Sequence, residues 1–184
     1  MLEGSHGLAT RHRRSIRRVS AYLLVFGYAA GASWALHEQR MGYGASNNSK
    51  GAAVEPGDVF LPYVTKGCWG WSGSRQQQVL IGRAVVLTGA KALAEPVRLG
   101  EGRKIDTACE LFFEQLAPYG EGVALAPLAP SLDVFRESPY WTNKLRRPVL
   151  RLGDADAERI TAALKAVTSA YDDTIGSYPR AHLP

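Results

Sequence analysis

The chain has 184 residues, 46% of them hydrophobic, and a net charge of +5, room for one apolar segment and one small domain rather than two. The positive charge is concentrated before Val19, in Arg11, Arg13, Arg14, Arg17 and Arg18. Beyond Lys50 acids and bases nearly balance and no basic stripe interleaved with aromatics occurs, which argues against nucleic acid as a partner. The four histidines (His6, His12, His37, His182) show no metal-ligand spacing with either cysteine, and no P-loop, nucleophile elbow or dinucleotide fingerprint is present. The sequence therefore designates no catalytic residue, no cofactor and no metal.

Residues 1–18 read as a polar, basic tail that sets topology. Residues 19–36, Val19 to Leu36, form the one long run without a charge. As a helix it would reach roughly 27 Å, enough for a thin bilayer core. Tyr22 and Trp34 suit the two interfaces, and the arginines place the N-terminus inside. The expectation is a single-pass transmembrane helix, in a mitochondrial inner membrane or a bacterial envelope. A signal segment cleaved at Ala30-Gly31-Ala32 is the alternative. Gly27, Gly31 and Ala35 fall at i, i+4 and i+8, a stripe of small residues on which a second membrane helix packs closely.

Residues 37–58 read as a flexible linker, since Arg40 to Asp58 is full of Gly, Ser and Asn. Residues 59–184 form the expected extracytoplasmic domain. It opens at Val59 with a segment that Pro62 restricts to a sheet edge and that ends in Cys68-Trp69-Gly70-Trp71. Trp69 and Trp71 offer an aromatic platform for a ligand or partner, or else fill the core. Helices are expected over Arg75–Glu95 and Thr107–Ala117, the second opened by Thr107 and Glu110 spaced as a capping box. Tyr119 to Leu152 reads as an irregular, proline-rich arm whose Tyr140 and Trp141 are anchors of the kind interfaces favour. A last helix runs from Asp154 to Asp173, with Ile160, Ala163, Leu164, Val167 and Tyr171 on one face.

Cys68 and Cys109, the only cysteines, suit a disulfide in an oxidising compartment. It would close a loop of about forty residues and stabilise by a few kcal/mol. Together these readings give a mainly α chain: a transmembrane helix plus a small helical outer domain with long Pro-rich segments. The expected function is that of a non-catalytic accessory subunit of a larger membrane complex, with other membrane subunits and the lipid bilayer as partners. The alternative is a small extracytoplasmic enzyme or ligand-binding module built on the Trp69/Trp71 turn.

Overall fold

The computed structural model describes residues 19–44, 54–70, 78–100, 102–136 and 138–181. Strand β1, Ala21–Phe26, is followed by helix α1, Ala29–His37, and strand β2, Arg40–Tyr43. Strands β3 (Val59–Val64), β4 (Val79–Leu80), β5 (Gly82–Val86), β6 (Lys91–Leu99), β7 (Arg103–Leu116) and β8 (Val123–Ala124) come next. Short helices α2 (Leu125–Leu128) and α3 (Asp133–Arg136) lead to β9 (Val149–Leu152), α4 (Asp154–Leu164), β10 (Ser169–Ala170) and α5 (Tyr171–Thr174).

The strands form one curled ten-stranded sheet with the central order β10-β7-β5-β3-β1-β9. β1 runs parallel to β3 and antiparallel to β9. With about 37% strand and 30% helix, the chain is mixed α/β, and the expectation of a mainly α fold is overturned.

The largest correction concerns Val19 to Leu36. The run is a strand, a break at Gly27-Tyr28, and a nine-residue helix. It is continuously apolar because β1 is covered on both faces: Tyr22, Leu24 and Phe26 enter one core and Leu23 the other. No helix among the described residues is long and apolar enough to cross a membrane. The single-pass anchor, and the membrane localisation built on it, therefore fall. The arginine cluster lies outside the described residues.

Two expected helices are strands. Gly82, Ala84 and Val86 are buried and alternate with half-exposed Arg83 and Val85. In β7, Cys109, Leu111 and Phe113 are buried while Glu110, Phe112 and Glu114 are exposed, the period-two pattern of a sheet with one face in the core. A bulge at Glu114 lets Ala84 pair with Phe113 while Arg83 pairs with Gln115.

Pro62 does not confine β3 to an edge. It sits where the partner of β3 changes from β5 to β4, and its carbonyl accepts from Ile81 N–H at 2.9 Å. The missing proline N–H thus falls at a junction rather than inside a ladder.

Two large apolar cores and a smaller cluster of Trp34, Leu99, Ile105 and Ala108 are found among the described residues. One holds Tyr22, Phe60, Val86, Leu111 and Phe113 with Ala35 and Leu36 of α1. The other lies under α4 and the proline-rich segment, which packs Leu125, Ala129, Leu132 and Phe135 against Leu23, Leu61 and Tyr63. The segment is tied down by Asp156 of α4, 1% exposed, whose carboxylate accepts the N–H groups of Asp133 and Val134 at 2.8 Å each. Those are the donors that the start of α3 leaves without an intrahelical acceptor. α4 starts as the sequence indicates, but ends at Leu164 rather than Asp173.

Candidate functional site

β3 ends in a tight turn that presents Trp69. Thr65 closes it on β1, with its N–H and hydroxyl both donating to the Phe26 carbonyl, at 3.0 and 3.1 Å. Cys68 N–H then returns to Thr65 O and Gly70 N–H to Gly67 O. Gly67 and Gly70 take φ values of 89° and 97°, a region that a side chain disfavours. Local sequence therefore fixes the Trp69 ring at the rim of the first core, half-buried.

Two tyrosines from distant segments complete an aromatic cluster. Tyr119 follows β7 and its ring meets Trp69 edge-on with centroids 5.6 Å apart. Tyr178 lies 6.2 Å from Trp69 and 5.6 Å from Tyr119. Both are held from behind: Tyr178 Oη donates to the Ala117 carbonyl at 2.9 Å, and Tyr119 N–H donates to Ser177 Oγ at 2.9 Å.

The cluster carries a polar anomaly. Trp69 Nε1 is buried with no hydrogen-bond partner among the described residues, and His37 Nε2, at the end of α1, is in the same position. Both adjoin Tyr178. The indole ring packs on that tyrosine, and the imidazole is hydrogen-bonded to the backbone of Pro179 and Tyr178. Burial holds the His37 pKa below its ordinary value, and the nearby Arg180 cation adds to the effect; the backbone bonds and Glu38 oppose it. Native proteins pair nearly all buried polar atoms, so two unpartnered atoms around one tyrosine are exceptions to that rule.

The cysteines make no bridge: Cys68 and Cys109 are buried free thiols, which corrects the expected disulfide. Cys109 sits mid-strand in β7 rather than on a helix, with its Sγ 4.0 Å from Tyr43 Oη. Burial pushes the Cys68 pKa up to about 12 and raises that of Cys109, against the hydrogen bond from Tyr43.

The remaining singled-out residues separate in space. Gly27 lies in the turn before α1, whereas Gly31 and Ala35 lie on it. A Cβ on Gly31 would stand 2.6 Å from the Tyr28 ring, so this glycine makes room for that tyrosine, on which Arg103 stacks at 3.9 Å. Ala35 is buried in the first core. Trp71 lies outside the described residues. Tyr140 is 72% exposed, and Trp141 packs on Phe135 with centroids 5.2 Å apart. Among the described residues, no group of three or more His, Cys, Asp and Glu side chains converges on a metal site. Sequence reasoning found Trp69 by its unusual local composition. It missed Tyr119, Tyr178 and His37, which only the tertiary fold brings to it.

No family model and no curated protein matches the chain. Solved structures do. One from Pseudomonas putida is 17% identical, covers 78% of this chain and 98% of its own, and superposes with a TM-score of 0.51. Proteins from Rhodopseudomonas palustris and Agrobacterium tumefaciens, each 12% identical with a TM-score of 0.48, cover 80% and 78% of this chain and 94% and 92% of their own. All three are structural-genomics targets described by organism rather than by activity. The chain thus shares its fold with the Pseudomonas putida protein, and the likeness reaches no further than fold.

Proposed function

We propose that this protein is a non-catalytic recognition module whose Trp69–Tyr119–Tyr178 cluster receives a planar ring bearing a hydrogen-bond acceptor. The observation that carries this reading is the buried Trp69 Nε1–H without an acceptor, in an aromatic cluster whose Trp69 and Tyr119 rings are only partly buried at the rim of the first core. An unmet buried donor costs about 1–3 kcal/mol. A ligand acceptor recovers that cost, and each favourable ring–ring contact adds about 0.5–1.5 kcal/mol. The unpartnered His37 Nε2 supports a second polar contact beside Tyr178. This reading takes up the alternative of a ligand-binding module on the Trp69/Trp71 turn, in place of the accessory membrane subunit, and drops the membrane setting.

The test is titration with a panel of heteroaromatic compounds (purines, pyrimidines, nicotinamide) and acceptor-free aromatics, read from the Trp69 indole N–H cross-peak. The reading expects acceptor-bearing rings to move that peak downfield and acceptor-free rings to leave it. Trp69→Phe, which keeps a ring and loses the donor, should weaken binding about tenfold, the worth of one hydrogen bond. Unchanged affinity in Trp69→Phe, or a silent cross-peak across the panel, overturns it.

A further inference from the structure

One edge of the sheet carries an inference independent of the Trp69 cluster. β9 ends the strand order and pairs only with β1 among the described residues. The ladder shows which of its backbone groups are in use. Val25 N–H donates to the Pro148 carbonyl at 2.8 Å, and antiparallel pairs alternate between bonded and unbonded. Pro148, Leu150 and Leu152 therefore turn their backbone groups to β1, and Val149 and Arg151 turn theirs outward. The other side of β1 agrees. The Ser20 and Phe26 carbonyls accept from the N–H groups of Val59 and Thr65, so the even-numbered residues of β1 are committed to β3 and the odd ones to β9. At the end of the strand the way is open: a Cβ on exposed Gly153 would meet nothing within 4 Å.

A row of outward N–H and C=O groups is a template for a further strand, and the side chains along it select the strand. Arg147 has extended backbone, φ −87° and ψ 135°, so it continues the period-two pattern of β9. Arg147, Val149 and Arg151 thus lie on one face of the edge. Both arginines are exposed, and neither forms an ion pair among the described residues. Arg151 donates to Ser20 Oγ at 3.3 Å. Exposed Arg146 adds a third cation. A second copy of this chain is a poor occupant, because it brings the same arginines to the same row and like charges across a strand pair repel.

We infer that this edge takes an extended acidic segment of another protein as an added strand. The residue opposite Val149 is apolar, and those two positions to either side carry carboxylates for Arg147 and Arg151. The recognised pattern is acid-x-Val/Ile-x-acid, which reads the same in both directions and so serves either strand polarity. Main-chain hydrogen bonds to Val149 and Arg151 supply affinity, and the flanking carboxylates set the register.

The probe is a blocked peptide, Thr-Glu-Thr-Val-Thr-Glu-Thr, titrated into the full chain at low salt and followed by amide NMR. The Val149 and Arg151 N–H cross-peaks should move downfield and gain protection from exchange, while those of Leu150 and Leu152, already bonded to β1, move far less. Two further peptides are methylated at alternate backbone nitrogens, which keeps every side chain and charge. The one blocked on its inward edge should bind about 30-fold more weakly, and the one blocked on its outward edge should bind like the parent. The double variant Arg147→Glu/Arg151→Glu should lose roughly 100-fold for the acidic peptide and gain its lysine counterpart, Thr-Lys-Thr-Val-Thr-Lys-Thr, a gain that no folding defect explains. A parent peptide that leaves the spectrum unchanged up to about 1 mM overturns the inference. So do two methylated peptides of equal affinity, or a charge-reversed variant that ignores the lysine peptide. A single-stranded oligonucleotide of the same charge that moves the same two cross-peaks as strongly also overturns it, since charge alone then suffices.

Discussion

Asp156 is a buried carboxylate that can be removed without touching an apolar core. Its carboxylate is 1% exposed and accepts two backbone N–H groups at 2.8 Å, and it lies 3.6 Å from Arg159. A hydrogen bond to a charged group is worth about 1.5–3 kcal/mol, more than a neutral pair. In Asp156→Ala both N–H groups lose their acceptor. Asp133 is itself exposed, so water replaces part of what its N–H loses, whereas Val134 is half-buried. The expected loss is about 3 kcal/mol. With a urea slope of about 2 kcal/mol/M, this moves the unfolding midpoint down by about 1.5 M. Asp156→Asn keeps one acceptor oxygen but turns an NH₂ toward the second N–H, so it should recover no more than half. Urea unfolding followed by tryptophan fluorescence measures both, since Trp141 reports on the α3 region through Phe135. An Ala variant within about 0.3 M of the parent midpoint refutes the view that this carboxylate organises the proline-rich segment.

Gly82→Ala should cost about 2–3 kcal/mol by overpacking, because its Cβ would stand 2.4 Å from the Gln115 carbonyl oxygen. Gly176→Ala meets nothing within 4 Å and should be nearly neutral in the same denaturation assay. Stability should fall as pH rises above the ordinary thiol and phenol range. Native Cys68 and Tyr63 hold their protons to about 12 while the unfolded chain releases them earlier, so urea midpoints taken from pH 8 upward should decline. At the acid end, the lowered pKa of His37 means that the unfolded chain takes up a proton first, so its share of stability is present above its ordinary pKa and lost below it. His37→Gln should flatten that limb. Tyr171→Phe removes a buried hydrogen bond to the Leu36 carbonyl of 2.7 Å and should lower stability by about 1–2 kcal/mol.

The sequence patterns were legible where a single face decides the period and misleading where two faces do. α4 shows a helical period because only its Ile160 and Leu164 side meets the sheet. β7 carries a strand period in Cys109 to Glu114, yet Thr107 and Glu110 also match a helix cap, and local spacing alone does not separate the two. β1 shows no period at all, since both of its faces are buried, and six such residues followed by the apolar helix α1 imitate one long membrane span. Ala-rich β6 carried helix propensity that sheet pairing with β7 overrides. The Trp69 turn was visible as unusual composition, but the tyrosines that pack on it come from β7's exit and from the C-terminal segment, and no local signal announces them.

The placement of β1 has a consequence for biosynthesis. The strand leaves the ribosome well before β9, yet its two neighbours are β3 and β9, and β9 ends at Leu152. At roughly 5–20 residues per second, the wait from Phe26 to Leu152 is about 6–25 s. During it, Ala21–Phe26 offers an apolar strand with one edge open to other nascent chains. Production of this protein should therefore depend on chaperones that hold short hydrophobic segments during elongation. Premature stops before Val149 should yield aggregates rather than a smaller folded core.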